Sequence, residues 1–163
     1  MRTIVGVMGS ADDDDRDAVA LAYEVGAAIA REGWVLLNGG HACGVMDASA
    51  RGAHDAGGLV VGVLPETDTS HMSRFVDIPI RTGIGDARNL VNVLSSDVVI
   101  ALPGHAGTIS EVALALKNGR TVIALRFDLG AAFEEYMEGG QLARAESVDE
   151  AMALARDIIG GAA

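Results

Sequence analysis

The chain has 163 residues, half of them apolar and only 4% aromatic, enough for one full hydrophobic core over residues 1–163 without covalent staples. A net charge of −11 and a pI near 4.6 exclude a nucleic acid polymer as partner, because phosphate backbones demand a basic footprint. A small phosphorylated ligand is not excluded, since it needs only a local basic pocket. Cys43 is the single cysteine, so neither an internal disulfide nor a zinc cluster is expected, and a reducing, cytoplasmic setting follows. No apolar run approaches the roughly 18–20 residues that a membrane span requires, and the N-terminus enters a strand with no signal-like segment. We therefore expect a soluble protein with no membrane partner.

Thr3 to Met8 is an apolar run that ends in Gly9-Ser10, a first buried strand and its turn. Arg16 to Glu32 places Val19, Ala22, Tyr23, Gly26, Ile29 and Ala30 at helical spacing, and Gly33 stops it. Val35-Leu36-Leu37 is a second strand, followed by the loop Asn38 to Gly44 and a helix from Val45 to Ala56. Leu59 to Leu64 is a third strand. After an irregular polar stretch over 66–74, Phe75 to Ile80 reads as a short fourth strand, which Pro79 places near an edge. Gly85 to Ser95 is helical, Asp97 to Leu102 is the most apolar strand, and Thr108 to Asn118 is the next helix. Thr121 to Leu125 gives a further strand, Leu142-Ala143-Arg144 a weak last one, and Val148 to Ile159 a final amphipathic helix. Continuously apolar strands alternating with helices indicate an α/β, Rossmann-like, doubly wound and mainly parallel sheet, with helices on both faces.

Ligands in such folds bind beyond the carboxyl ends of the strands. The turns at Gly9-Ser10, at Gly39-Gly40 with Gly44, and at Gly104 with Gly107 all lie there and should converge on one crevice. Leu102 to Glu111 is the most informative of these segments. A buried strand that ends in a Gly-rich turn and enters a helix aims free N–H groups at whatever lies above, and a phosphate is the natural guest. Glu111 at that spot has two readings: a carboxylate with chemical work to do, or the N3 acid of a capping box with Thr108 as N-cap. Arg88 opens an otherwise apolar helix, where it opposes the helix dipole and needs an anionic partner: a phosphate, Asp86 or Glu111. Asp12 to Asp15 read as a solvated run that favours the start of the next helix rather than as a cation site, and no metal site is expected. Cys43 reads as a small packed residue.

Pro103-Gly104-His105-Ala106-Gly107-Thr108, with Glu111 beyond it, resembles the PGGxGTxxE signature of the LOG (Lonely Guy) proteins, long mislabelled lysine decarboxylases. Gly39 to Met46 resembles their GGGxxGLM loop, and Arg88 aligns with the arginine of their second motif. The resemblance runs from about Ile4 to Leu125. Within the superfamily the chain is most similar to a short branch that includes molybdenum cofactor carrier proteins, through Phe75 to Ile80 and Thr82 to Asn89.

The resemblance implies two different functions. LOG enzymes hydrolyse the N-glycosidic bond of nucleoside 5′-monophosphates without a cofactor, and Arg88 and Glu111 would be the catalytic pair. Glu111 would support the developing oxocarbenium or the attack of water at C1′, with Arg88 orienting the ligand. The phosphate would lie on Gly104, His105, Ala106, Gly107 and Thr108, and Gly9, Ser10, Gly39, Gly40, Gly44 and Met46 would complete the ligand site. The carrier branch instead holds the molybdenum cofactor as cargo and needs no catalysis. A non-catalytic nucleotide sensor is a third reading, although it usually expects a fused effector. The chain departs from the LOG pattern at Asn89, where those enzymes carry a basic residue, and at His41 and His105, which replace glycines. Each histidine is either a tolerated loop substitution or a donor to the phosphate. Family members pair through helices beside the site, so a homodimer or higher homo-oligomer is expected, with 88–95 and 108–118 apolar on more than one face.

Overall fold

The computed structural model describes residues 1–161. Seven strands form one wholly parallel sheet: β1 (Ile4–Met8), β2 (Val35–Asn38), β3 (Leu59–Leu64), β4 (Ile78–Arg81), β5 (Val98–Ala101), β6 (Val122–Leu125) and β7 (Leu142–Ala145). Their spatial order is β4-β3-β2-β1-β5-β6-β7, so the direction of winding reverses between β1 and β5. This is the Rossmann-like, doubly wound sheet that the alternation of apolar strands and helices demands.

Successive strand residues point to opposite faces, and both faces are dry. Val5, Val7, Ile100, Leu102 and Ile123 pack into one layer with α1 (Arg16–Arg31), α2 (Gly44–Asp55) and α6 (Val148–Gly161). Met8, Val99, Ala101 and Val122 pack into the other, under α3 (Arg88–Leu94) and α4 (Ala106–Lys117), with α5 (Glu134–Glu138) at the rim. The backbones of α1 and α2 touch through two glycines. A Cβ on Gly26 would collide with the Ser49 carbonyl, and one on Gly52 with the Tyr23 carbonyl.

Several element boundaries differ from those read in the sequence. The fourth strand starts at Ile78 rather than Phe75, because the chain turns first, with the Val76 N–H bonded to the Ser73 carbonyl. As Pro79 implies, β4 is an edge strand, and all four of its residues are exposed. The segment 85–95 divides into a 3-10 turn (Gly85–Ala87) and α3. β7 is a full edge strand paired with β6 along Leu142 to Ala145, and α5 has no counterpart in the sequence reading. No helix among the described residues is long and apolar enough to cross a membrane.

Candidate functional site

The crevice opens at the winding switch. β1 leads into α1 on one face of the sheet and β5 into α4 on the other, so their loops part above the strand ends. Below the parting they are tied together: Leu102 N–H donates to the Met8 carbonyl at 2.8 Å, and Ser10 N–H to the Pro103 carbonyl at 3.1 Å. Between them lies a cavity of about 260 Å³, floored by Val7 to Ala11. The β2 side contributes Gly39 and Met46, and the 3-10 turn with α3 contributes Asp86, Arg88 and Asn89. The fourth wall is the start of α4, with His105, Gly107, Thr108 and Glu111.

The start of α4 corrects one expectation. The helix begins at Ala106, with His105 as an extended N-cap that supplies no side-chain bond. Thr108 is therefore inside the first turn rather than capping it, and Glu111 falls in the second turn. The capping-box reading is overturned: Glu111 faces the crevice and is only 7% exposed. First-turn amides have no intrahelical acceptor, so those of Gly107 and Thr108, which line the cavity, are left for a guest. Gly107 has no atom within 4 Å of where a Cβ would stand, whereas Gly104 is tightly enclosed. A Cβ there would strike Thr108 Oγ1 and come within 2.9 Å of the Ser10 amide.

Arg88 enters from α3 across the crevice. It makes no ion pair among the described residues, and its Nε is buried with no hydrogen-bond partner. The structural salt bridge that an arginine at a helix start would ordinarily make is therefore not formed. Burial pulls the guanidinium below its usual proton affinity, and the charges of Glu111, Asp86 and Glu66 oppose that pull. Glu111 accepts a 3.0 Å hydrogen bond from Asn92 Nδ2. Burial pushes its carboxyl above the ordinary range, with the Asn92 bond and the Arg88 charge acting in the opposite direction.

Of the residues singled out in the sequence, Gly9, Ser10, Gly39, Met46, Arg88, His105, Gly107, Thr108 and Glu111 line one cavity. Gly40, Gly44, Gly104 and Ala106 do not. Gly40 sits in a left-handed conformation, with φ of 77°, and donates to Asn38 Oδ1. The Gly44 amide at the start of α2 is already taken by Asp13 Oδ1 at 2.6 Å. Gly104 spaces the two loops. His41 is turned away from the cavity, its Nε2 lying 3.1 Å from both carboxylate oxygens of Glu66. Asp15 caps α1 by accepting from the Ala18 amide, so the acidic run does local structural work. Burial and the charges of Asp13 and Asp47 push the Cys43 thiol up, away from a reactive thiolate. Sequence reasoning passed over the wall position of Asp86 and the whole contribution of Asn92. The i, i+4 spacing of Arg88 and Asn92 was the available signal for the latter.

A family model, the SLOG cluster4 family, matches residues 2–152. The chain belongs to the SLOG cluster4 family. This member is similar to the molybdenum cofactor binding protein of Rippkaea orientalis, at 46% identity over 98% of both chains and a TM-score of 0.92. It is similar to the molybdenum cofactor carrier protein of Chlamydomonas reinhardtii, at 39% identity over 98% of this chain and 99% of that one, with a TM-score of 0.90. It is also 36% identical to the cytokinin riboside 5′-monophosphate phosphoribohydrolase of Mycobacterium tuberculosis over 71% of its own length, spanning 63% of that enzyme. The LOG resemblance and its carrier branch are thus both represented among the relatives of this family member.

Proposed function

We propose that the crevice binds a phosphorylated small molecule, with the phosphate against the first-turn amides of α4 and the guanidinium of Arg88. The observation that carries this reading is Arg88 itself, whose buried Nε has no partner beside an open helix start. A half-buried guanidinium whose Nε has neither water nor a hydrogen-bond partner, and which has no carboxylate in ion-pair distance among the described residues, is costly unless an anion completes it. Thr108, Gly107 and His105 supply the rim, and Gly9 and Ser10 the floor.

For the finer function, the carrier reading is the better supported: the protein holds a molybdenum cofactor-type phosphorylated pterin as cargo. Similarity to the two cofactor-binding proteins extends over essentially whole chains, whereas the hydrolase relative is matched over part of its length. Asn89 stands where the LOG pattern has a basic residue, which also favours it. A second reading, hydrolysis of the N-glycosidic bond of nucleoside 5′-monophosphates, is favoured by one feature, the buried Glu111 facing the same cavity as Arg88. The deciding experiment incubates the protein with a panel of nucleoside monophosphates and follows free base, while a parallel sample is mixed with molybdenum cofactor and passed through gel filtration. Retained cofactor without base release supports the carrier; catalytic base release replaces it with the hydrolase. Neither retained cofactor nor bound nucleotide would sink both.

We further propose that the working form is a homodimer, joined through the exposed apolar residues of α3 and α4.

A further inference from the structure

Arg88 and Asn92 are one helical turn apart on α3, so both side chains point the same way, toward Glu111 of α4. Asn92 is fully buried. Its Nδ2 donates to Glu111 Oε1 at 3.0 Å and also approaches the Met8 sulfur at 4.0 Å. Its Oδ1 is buried without any donor. α3 can press this deeply onto β1 because Gly6 leaves room for Ser96, whose hydroxyl donates to the Asn92 carbonyl at 2.8 Å. The backbone that carries Asn92 is thus fixed, and its amide has one end spent on Glu111 and the other idle.

A buried amide oxygen with no donor is destabilising, because it has given up its hydrogen bonds to water and gained none. The adjoining group able to supply a proton is Glu111. An ionised carboxylate uses the amide N–H; a protonated carboxyl can in addition give its O–H to the amide oxygen. The amide serves both forms through two separate atoms, a donor and an acceptor side by side. We propose that Asn92 is the positioning residue of the crevice, its amide holding the Glu111 carboxyl in one rotamer whether or not that carboxyl carries a proton. The inference rests on the crevice being the ligand site and not on which ligand enters.

The consequence differs between the two readings of function. In hydrolysis, Glu111 gives its proton to the departing base as the C1′–N bond breaks and its electron pair passes to the base. Water then adds at C1′ and returns a proton to the Glu111 carboxylate. In a carrier, the same O–H turns from Asn92 to the ligand as a hydrogen-bond donor, and no bond is broken. Burial favours the protonated form of Glu111, in keeping with either role. The charged and titratable groups that share its cavity are Arg88 from α3, Asp86 from the 3-10 turn and His105 from the loop after β5.

The test is a carbon NMR titration of the ligand-free protein with labelled glutamate carboxyls, the Glu111 signal being identified by its loss in Glu111→Gln. In the wild type it should titrate above the ordinary glutamate range. In Asn92→Leu the midpoint should move up further, by about one pKa unit or more, because the lost bond to the charged form is the stronger of the two. Asn92→Ser, smaller and still polar, should move it in the same direction and covers the case in which the leucine variant fails to fold. An unchanged Glu111 titration in a folded Asn92 variant overturns the assignment. Adding adenosine 5′-monophosphate or inorganic phosphate separates the two claims. If the variants behave as expected but neither these anions nor molybdenum cofactor perturbs the Glu111 signal, the pair stands and the ligand-site reading falls.

Discussion

The guanidinium of Arg88 lies across Gly39, in the space a side chain would fill. A Cβ on Gly39 would collide with Arg88 Nη1 and stand 2.6 Å from the Met46 sulfur. The glycine after β2 is thus required by an arginine from another layer of the fold, rather than by its own backbone angles.

Gly39→Ala should therefore act on binding more than on folding, since the atoms displaced are the ends of two flexible side chains. Arg88→Ala removes a charge-assisted contact to the ligand phosphate and should weaken binding about tenfold to a hundredfold. Gly39→Ala should produce a loss of the same order, with thermal stability close to wild type. Calorimetric titration with the phosphorylated ligand checks both. Undiminished affinity in Gly39→Ala would mean that Arg88 reaches the phosphate from another position.

Glu111 yields a prediction about stability. Burial raises its proton affinity in the folded state, so the native protein holds this proton to higher pH than the unfolded chain does. Over the window between the ordinary glutamate value, about 4.3, and the raised native one, stability falls as pH rises, because the native state binds more protons there. Glu111→Gln removes that loss. It should raise the melting temperature at neutral pH, and the advantage should shrink as pH drops from the raised native value toward the ordinary glutamate value. An equal gain at every pH would show that Glu111 is not held protonated.

Gly104→Ala should damage the frame of the site. Its Cβ would meet Thr108 Oγ1 and the Ser10 amide, which is backbone and cannot swing aside. Forcing the β1 and β5 loops apart should cost about 1–3 kcal/mol of stability and weaken ligand binding with it. Denaturant unfolding beside the binding assay measures both; a variant as stable as wild type would count against the close approach.

The sheet was legible because parallel strands dry on both faces are continuously apolar, and β1, β2, β3, β5 and β6 stand out by that alone, while the exposed edge strand β4 and the mixed β7 do not. The crevice was legible because glycines follow β1, β2 and β5, which converge at the winding switch. What could not be read were relationships between elements distant in sequence. Asp13 occupying the Gly44 amide, Glu66 drawing His41 out of the cavity, and Asn92 reaching Glu111 all depend on how loops and helices from different βα units meet. The start of α4 was misplaced because Thr108 and Glu111 match a capping box in spacing, while the chain caps three residues earlier with an extended His105. α5 escaped because five residues are too few to show a period.

The last prediction concerns assembly. Leu90 and Leu94 on α3 and Ile109 on α4 are 37%, 41% and 42% exposed, unusual for leucine and isoleucine on helices that otherwise cover the sheet. Ile78 and Ile80 of β4 pair with Val61 and Val63, which face the α3–α4 side, so these exposed residues lie on one face of the molecule. Apolar patches of this kind mark interfaces, and a second copy of the chain meeting the same face would bury them in a two-fold contact. Light scattering at micromolar concentration should give twice the 16.7 kDa chain mass. Leu94→Glu with Ile109→Glu should reduce it to the single-chain value, since each buried carboxylate lacks a partner in the contact. Neither substitution touches the cavity lining, so retained ligand binding in the monomer would show that each crevice is complete within one chain. A wild-type mass of 16.7 kDa would end the dimer proposal.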